Sequence, residues 1–172
     1  APISTDHESF SKAENNAKER NKMLLQNHGK RSVESFHRVL GRIVWDYCGM
    51  SRNESSLFAA IDKIKELRNE FWKDVKVLGD DKTYNPELDK AGRVADFFEL
   101  GELMMRDALE RNESCGGHFR EEFQTEEGEA LRDDENFTFA STWEFKGVDE
   151  PPVLHKEDLG FETVKPTQRS YK

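Results

Sequence analysis

The fold is decided by residues 51–78, which read SRNESSLFAAIDKIKELRNEFWKDVKVL. Apolar residues recur there at steps of three, four and seven, which place them on one face of an α-helix. These positions are Leu57, Ile61, Ile64, Phe71, Val75 and Leu78. Ser51 precedes Glu54 by three residues, the capping-box pattern of a helix start, and Gly79 predicts the helix end. The stretch therefore predicts a long helix that packs against neighbouring helices.

Three more helices are predicted around it. Residues 9–27 form a leading segment with few apolar positions, which we expect to end at a left-handed Gly29. Residues 32–49 begin with a capping serine and carry apolar side chains at helical spacing. The last helix begins at Asn85 and Pro86, a capping side chain followed by a proline in the first turn. Short loops between the last three helices favour an antiparallel arrangement.

The predicted fold is therefore mainly α. It is a three-helix antiparallel bundle, spectrin-like and up-down-up, with a leading helix and an extended C-terminal tail that contains a short strand. We divide the chain into a leading helical segment at residues 1–31, the bundle at residues 32–112 and the tail at residues 113–172. Phe71 and Phe98 lie on the apolar faces of two strong helices, so we expect both in the core.

The strand of the tail is predicted from Phe137 to Phe145, where aromatic residues alternate with other side chains at a period of two. Prolines interrupt the remainder, which leaves only short strand pieces such as residues 161–164. No partner strand is evident in the sequence. We therefore expect the aromatic strand to dock on a surface supplied from outside this chain.

Charge and composition exclude some classes of protein. The 172-residue chain has a formal net charge of −9, and residues 113–172 carry fifteen acidic against seven basic side chains. Binding to nucleic-acid phosphates requires concentrated Lys and Arg, so we expect no nucleic-acid partner. The acidic tail has two readings, a solvated surface and a docking surface for a basic partner. No stretch approaches the roughly 18 consecutive apolar residues of a membrane span. The two cysteines are too few for a disulfide framework, which indicates free thiols in a reducing compartment.

Cys115 and His118 are the strongest candidates for chemistry of their own. Their spacing could give two zinc ligands, with Cys48 or His155 completing a site. A thiol beside an imidazole could also serve a hydrolase. No second paired ligand motif accompanies them, so we expect no metal and a structural role for both residues.

The glycines between these two residues have a simpler reading. Gly116 and Gly117 follow a helix instead of joining a strand to a helix, so they predict a turn through positive φ and not a dinucleotide loop. The acidic pairs that follow, beginning with Glu121 and Glu122, are adjacent in sequence. Their side chains do not converge on one substrate bond, and we read them as solvated charge.

Three segments of the tail carry a family resemblance. They read ESCGGHFREEF at residues 113–123, RDDENF at residues 132–137 and PTQRSY at residues 166–171. In this order and behind a helical bundle, they resemble the C-terminal domain of the flavoprotein subunit of succinate dehydrogenase and fumarate reductase. The likeness covers residue 36 to the C-terminus. Cys115 stands where many members have Arg and Gly117 where many have Ala, which indicates a divergent bacterial branch.

The resemblance implies an activity for the full-length subunit. In that family the subunit binds FAD covalently in an N-terminal Rossmann-like domain and transfers a hydride between the flavin and a four-carbon dicarboxylate, succinate or fumarate. The family's dinucleotide loop, flavin-linking His and substrate-binding residues all lie upstream of such a bundle. The resemblance therefore implies no catalytic, cofactor-binding or metal-binding residue here, and we expect this piece alone to be inactive and to hold no FAD.

The resemblance also implies partners. The bundle would brace the upstream flavin-binding domain and face the iron–sulfur subunit, with an indirect link to the membrane-anchor subunit at the cytoplasmic face of the bacterial inner membrane. The candidate domain or subunit interface consists of the residues that match the turn and end motifs together with the second glycine: Gly116, Gly117, His118, Arg120, Arg169 and Tyr171. The alternative is a freestanding helical interaction module without a redox role.

Overall fold

The structure is a computed structural model that describes residues 4–148, 150–165 and 167. It is mainly α-helical, as predicted. Its helices are α1 (Glu8–Gln26), α2 (Val33–Cys48), α3 (Glu54–Asp74), α4 (Pro86–Glu110) and the short α5 (Asp134–Phe137). Its strands are β1 (Arg31–Ser32), β2 (Val75–Lys76), β3 (Phe139–Glu144) and β4 (Val153–Asp158). No helix of this described part is both long and apolar enough to cross a membrane.

The chain divides into two compact units. The first takes the residues up to Val44 together with Asp62–Glu102, and the second takes Trp45–Ile61 together with the residues from Leu103 onward. Helices α2, α3 and α4 each contribute residues to both units. The division predicted from the sequence, at residues 31 and 112, follows changes in composition and remains a prediction.

The core of the first unit is aromatic. Phe71 and Phe98 are fully buried, as predicted, and Phe36 is buried beside them. The ring of Phe71 meets Phe36 edge-on at 5.3 Å between centroids and lies 5.4 Å from Phe98. The leading helix α1 also belongs to this unit, because Leu24 is buried and Arg20 forms an ion pair with Asp96 at 2.6 Å.

The end of α3 differs from the prediction. The helix stops at Asp74 instead of near Gly79, because Val75 and Lys76 pair as β2 with β1 in a parallel ladder. Gly29 approaches this helix end so closely that an added Cβ would overlap the Asp74 carbonyl group. Gly29 does not adopt the left-handed backbone expected from the sequence. Glycine is needed at this position because a side chain would have no space, and not because of the φ angle.

The start of α3 also differs from the prediction, because Asn53 and not Ser51 caps the helix. The Asn53 side-chain oxygen accepts a hydrogen bond from the Ser56 N–H group at 2.9 Å. The Ser51 hydroxyl instead donates to the Glu121 carboxylate at 2.7 Å. Asn85 caps α4 as predicted, and its oxygen accepts from the N–H groups two and three residues further on, each at 3.1 Å.

The aromatic strand of the tail has a partner in the chain, and the expectation of an unpaired strand is wrong. β3 and β4 pair antiparallel, with Phe139 opposite Asp158 and Glu144 opposite Val153. The sequence of β4, VLHKED, does not alternate because five of its six side chains are exposed. Its two preceding prolines stand outside the ladder, where a missing N–H group removes no inter-strand bond. Residues 161–164 are exposed and form no strand.

Candidate interface site at the turn after helix α4

The family-like turn is a tight reversal between Cys115 and His118. The Cys115 N–H group donates to the His118 carbonyl at 2.8 Å, and the His118 N–H group donates back at 3.0 Å. Gly116 has a φ of 59°, which confirms the predicted positive φ, whereas Gly117 does not adopt it. An added Cβ at either glycine would meet no atom within 4 Å. Only the first glycine is required by the backbone, and both lie on open surface.

His118 is held as a neutral ring by two opposite partners. Its Nε2 lies 2.9 Å from the Arg111 carbonyl oxygen and its Nδ1 lies 3.4 Å from the Arg52 guanidinium. A carbonyl only accepts and a guanidinium only donates, so the ring proton is on Nε2. Burial lowers the pKa of His118, and the charges of Arg52, Arg111 and Arg120 lower it further against the opposing hydrogen bond to Arg111.

This arrangement uses both ring nitrogens, so His118 has neither a metal-binding lone pair nor a base position free for the Cys115 thiol. Cys48 and Cys115 are both free thiols, and burial raises the pKa of Cys48. His155 lies on β4, where its Nε2 is 2.9 Å from the Glu144 carboxylate. Within the described ranges, no group of three or more His, Cys, Asp or Glu residues could hold a metal ion.

Arg120 closes the C-terminal end of α4. Its side chain is buried, and Nη1 donates to the carbonyl groups of Ala108 at 2.8 Å and Leu109 at 3.2 Å. Carbonyl groups in the last turn of a helix have no partner within the helix, and a cation there also favours the helix dipole. The Nε atom of Arg120 forms an ion pair with Glu122 at 3.0 Å. Arg120 therefore fixes the turn to the helix that precedes it.

Glu113 and Ser114 belong to the same locked structure, although the sequence analysis gave neither a role. The buried Ser114 hydroxyl accepts from the Arg120 N–H group at 2.8 Å and donates to the Arg120 carbonyl at 3.1 Å. The buried Glu113 carboxylate accepts from Arg111 at 2.7 Å and from the Asp133 N–H group at 2.9 Å. The only signal for these roles is their place in the family-like segment.

The turn is also fixed to the loop between α2 and α3. The Arg52 N–H group donates to the Phe119 carbonyl at 3.1 Å, and the Glu121 N–H group donates to the Arg52 carbonyl at 2.9 Å. The Arg52 guanidinium reaches the carbonyl groups of Gly49 at 3.0 Å and Gly117 at 3.3 Å. The role of Arg52 was not predicted from the sequence. No local pattern indicates that this loop arginine contacts a segment about 65 residues later.

Glu121 and Glu122 are exposed, as expected for solvated charge, but each also accepts hydrogen bonds from the start of α3 or the loop before it. Hydrogen bonds from Ser51 and Asn53 lower the pKa of Glu121. Burial raises the pKa of Glu122, but hydrogen bonds from the Glu54 N–H group, its own backbone and Arg120 outweigh it, and the net pKa is lowered. Both carboxylates thus stabilise the start of α3, where N–H groups lack helical partners and negative charge is favourable.

The structure describes only part of the end motif, and Arg169 and Tyr171 lie outside the described residues. Arg132 of the RDDENF segment donates to the Thr167 carbonyl at 3.1 Å. The same guanidinium pairs with Asp134 through Nε at 3.0 Å and Nη2 at 2.5 Å. Arg132 thereby connects two of the three family-like segments.

The turn does not fit the pyrophosphate of a dinucleotide. Such a site needs glycines that lead from a strand into a helix N-terminus. Gly116 and Gly117 instead connect two bridged residues after the end of α4. The turn therefore lacks the geometry of a pyrophosphate site.

Known proteins share this arrangement of elements. The family model described as fumarate reductase flavoprotein C-term matches residues 37–171. The fumarate reductase flavoprotein subunit of Escherichia coli (strain K12) is 28% identical over 153 residues, which covers 89% of this chain and 24% of that protein. The corresponding subunit of Helicobacter pylori is 30% identical over 152 residues, with 86% and 20% covered. The chain thus spans about a quarter of the length of the curated relatives it matches.

Solved structures agree in fold. A quinol-fumarate reductase with menaquinol molecules superposes with a TM-score of 0.77 at 24% identity, covering 96% of this chain and 28% of the other. Mycobacterium smegmatis Sdh1 in complex with UQ1 gives 0.70 at 22% identity, covering 88% and 24%. The family model covers well over half of the chain, and the turn that carries the resemblance is built as one locked unit. The chain belongs to the C-terminal domain family of the fumarate reductase and succinate dehydrogenase flavoprotein subunits.

Proposed function

We propose that this chain is the C-terminal part of an FAD-dependent oxidoreductase that interconverts succinate and fumarate. The observation that carries the proposal is the family match over residues 37–171, supported by relatives named fumarate reductase flavoprotein subunit. FAD supplies the hydride chemistry in the full-length subunit. The upstream flavin-binding part would hold it, since the described residues offer no phosphate-binding loop.

The role of this domain is to brace the flavin-binding part and to contact the iron–sulfur subunit. Arg120 and Ser114 fix the turn to α4, and Arg52 fixes it to the loop before α3. Gly116 and Gly117 remain exposed on this rigid support, so a neighbouring protein can approach their backbone closely. A membrane-anchor subunit would then be an indirect partner, with the assembly at the cytoplasmic face of a bacterial inner membrane.

The paired strands β3 and β4 give less support for an interface than the sequence suggested. An unpaired aromatic strand would demand a partner from outside the chain, but β4 supplies that pairing. The interface role therefore rests on the turn after α4.

The proposal is tested by comparing the 172-residue chain with the full-length subunit. We expect flavin absorbance and succinate-dependent dye reduction from the full-length subunit, and neither from the 172-residue chain. Flavin bound to the chain alone would refute the assignment of FAD to the upstream part. A gene that encodes no flavin-binding segment before this sequence would favour the freestanding interaction module.

A further inference from the structure

Three arginines surround the turn, and two of them are neutralised by carboxylates. Arg52, Arg111 and Arg120 all lower the pKa of His118 through their charge. Arg111 pairs with Glu113 at 2.6 Å, and Arg120 pairs with Glu122 at 3.0 Å. Arg52 forms no ion pair with any residue in the described ranges. One positive charge at this surface is therefore unmatched.

The hydrogen bonds of Arg52 do not replace the missing carboxylate. Its guanidinium contacts three neutral acceptors, the carbonyl groups of Gly49 and Gly117 and the Nδ1 atom of His118. A guanidinium has five N–H donors, so these three bonds leave two without a partner. One of the two is on Nε, which is buried and has no hydrogen-bond acceptor in the described chain.

The acidic side chain that contacts both sequence neighbours of Arg52 is already engaged. Glu121 directs one carboxylate oxygen to the Ser51 hydroxyl at 2.7 Å and the other to the Asn53 amide at 2.9 Å. These partners flank Arg52 in sequence, yet Glu121 forms no ion pair with Arg52 itself. The positive charge thus remains available to a group from outside the described chain.

The turn adds two more free donors beside this charge. The N–H groups of Gly116 and Gly117 donate to no acceptor within the described residues, although their neighbours Cys115 and His118 are bonded to each other. Both glycines are exposed, and space is open around the position of a Cβ atom on each. Arg52 reaches the Gly117 carbonyl from the loop, so its charge and these amides belong to one small surface.

We propose that Arg52 and the amides of Gly116 and Gly117 form a binding point for a carboxylate group. The exposed unused donors are the two glycine amides, and the Arg52 guanidinium, whose Nε is itself buried, adds a positive charge beside them. An ionised carboxylate offers only acceptors and a negative charge. An Asp or Glu side chain of a neighbouring protein is one source of that group, and in that case the inference rests on the interface role proposed above. A small free carboxylate is the other source.

The first arm of the test addresses the free carboxylate. The 172-residue chain is titrated with sodium acetate, and with sodium chloride at equal ionic strength, while NMR follows the Arg52 Nε–H signal and the amides of Gly116 and Gly117. Saturating shifts in acetate alone, abolished in Arg52→Gln, support a free carboxylate as ligand. Equal shifts in both salts exclude this source.

The second arm addresses a protein carboxylate in the full-length complex. Arg52→Gln is compared with Arg38→Gln, which removes a charge from an exposed arginine of α2 whose ion pair with Glu34 lies within the same helix. We expect Arg52→Gln to weaken binding of the iron–sulfur subunit at least about tenfold and to flatten its salt dependence. Arg38→Gln should change neither quantity.

The salt dependence separates a lost charge pair from a distorted turn. A distorted turn weakens binding equally at all salt concentrations, whereas a lost charge pair flattens the slope. If Arg52→Gln does not fold, Arg52→Met carries the same comparison, since it also removes the charge and keeps an unbranched aliphatic side chain. An unchanged slope in a folded variant, together with no acetate-specific shift, overturns the carboxylate site. If His118→Ala nevertheless weakens assembly, the proposed interface role stands without it; if neither variant affects assembly, both proposals fail.

Discussion

Two glycines of this chain have opposite physical roles. Gly29 lies against the end of α3, where an added Cβ would overlap the Asp74 carbonyl, a backbone group that cannot swing aside. Gly41 lies in the interior of α2, where an added Cβ meets no atom within 4 Å. The first glycine permits a close approach, and the second only weakens its helix.

Gly29→Ala should therefore destabilise the chain by about 1–3 kcal/mol, because the backbone must shift to admit the methyl group. Gly41→Ala is the matched control and should stabilise it by up to about 1 kcal/mol through helix propensity. Urea unfolding followed by circular dichroism measures both. Equal effects of the same sign would show that the approach of Gly29 to α3 is misjudged.

The neutral state of His118 gives the chain a pH dependence. Its folded pKa is lowered from about 6.5, so the unfolded chain binds the proton more readily than the folded one. The stability that depends on neutral His118 is present above pH 6.5 and is lost as the pH falls through the folded pKa. Protonation would place a fourth positive charge among three arginines and break the bond from Arg52 to Nδ1.

We therefore expect the wild-type chain to lose more stability than a His118→Gln variant between pH 7.5 and pH 5. Carboxylates that titrate in this range are common to both proteins, so the difference between the two isolates the histidine. Urea unfolding at the two pH values is the measurement. A constant difference between wild type and variant would contradict the neutral-histidine assignment.

At the scale of elements, α3 is stabilised at its start by groups distant in sequence. Asn53 caps the helix locally, and Glu122 accepts a hydrogen bond from the N–H group of Glu54, its first residue. The capping-box pattern that begins at Ser51 is present in the sequence but is not used, because the Ser51 hydroxyl is taken by Glu121. The tertiary hydrogen bond from Ser51 to Glu121 replaces the local capping bond that the sequence pattern predicts.

Asn53→Ala should destabilise the chain by about 0.5–2 kcal/mol, the usual effect of removing a helix cap. Ser51→Ala, which the sequence pattern would make the damaging change, should remain within about 0.5 kcal/mol. Thermal unfolding of both variants decides which residue caps α3. A larger loss of stability in Ser51→Ala than in Asn53→Ala would show that Ser51 caps the helix, as the capping-box pattern predicts.

The sequence could predict what local patterns determine. Helical spacing identified the long helices and placed Phe71 and Phe98 in the core, and Asn85 marked the start of α4 correctly. β4 could not be predicted because its exposed side chains show no alternation, and its pairing with β3 is evident only in the tertiary structure. The Arg52 contact with the turn was equally hidden, since it joins segments that only the tertiary fold brings together.

At the scale of the whole molecule, the described residues form two compact units, and the turn with all of its contacts belongs to the second. That unit contains the loop before α3, the end of α4 and the tail. The chain spans about a quarter of its curated relatives. Under the proposed function, the second unit supports an interface and the redox chemistry belongs to the upstream part of the full-length subunit.

The measurement that tests this account most directly uses His118→Ala in the full-length complex, with His37→Ala, an exposed histidine on α2, as the control. Co-purification of the iron–sulfur subunit, covalent flavin content and succinate turnover at saturating substrate are determined on the same samples. We expect His118→Ala to reduce co-purification while flavin attachment and turnover per assembled complex are retained. Normal assembly with lost turnover at saturating succinate would contradict the account, because it would place the turn in the active site.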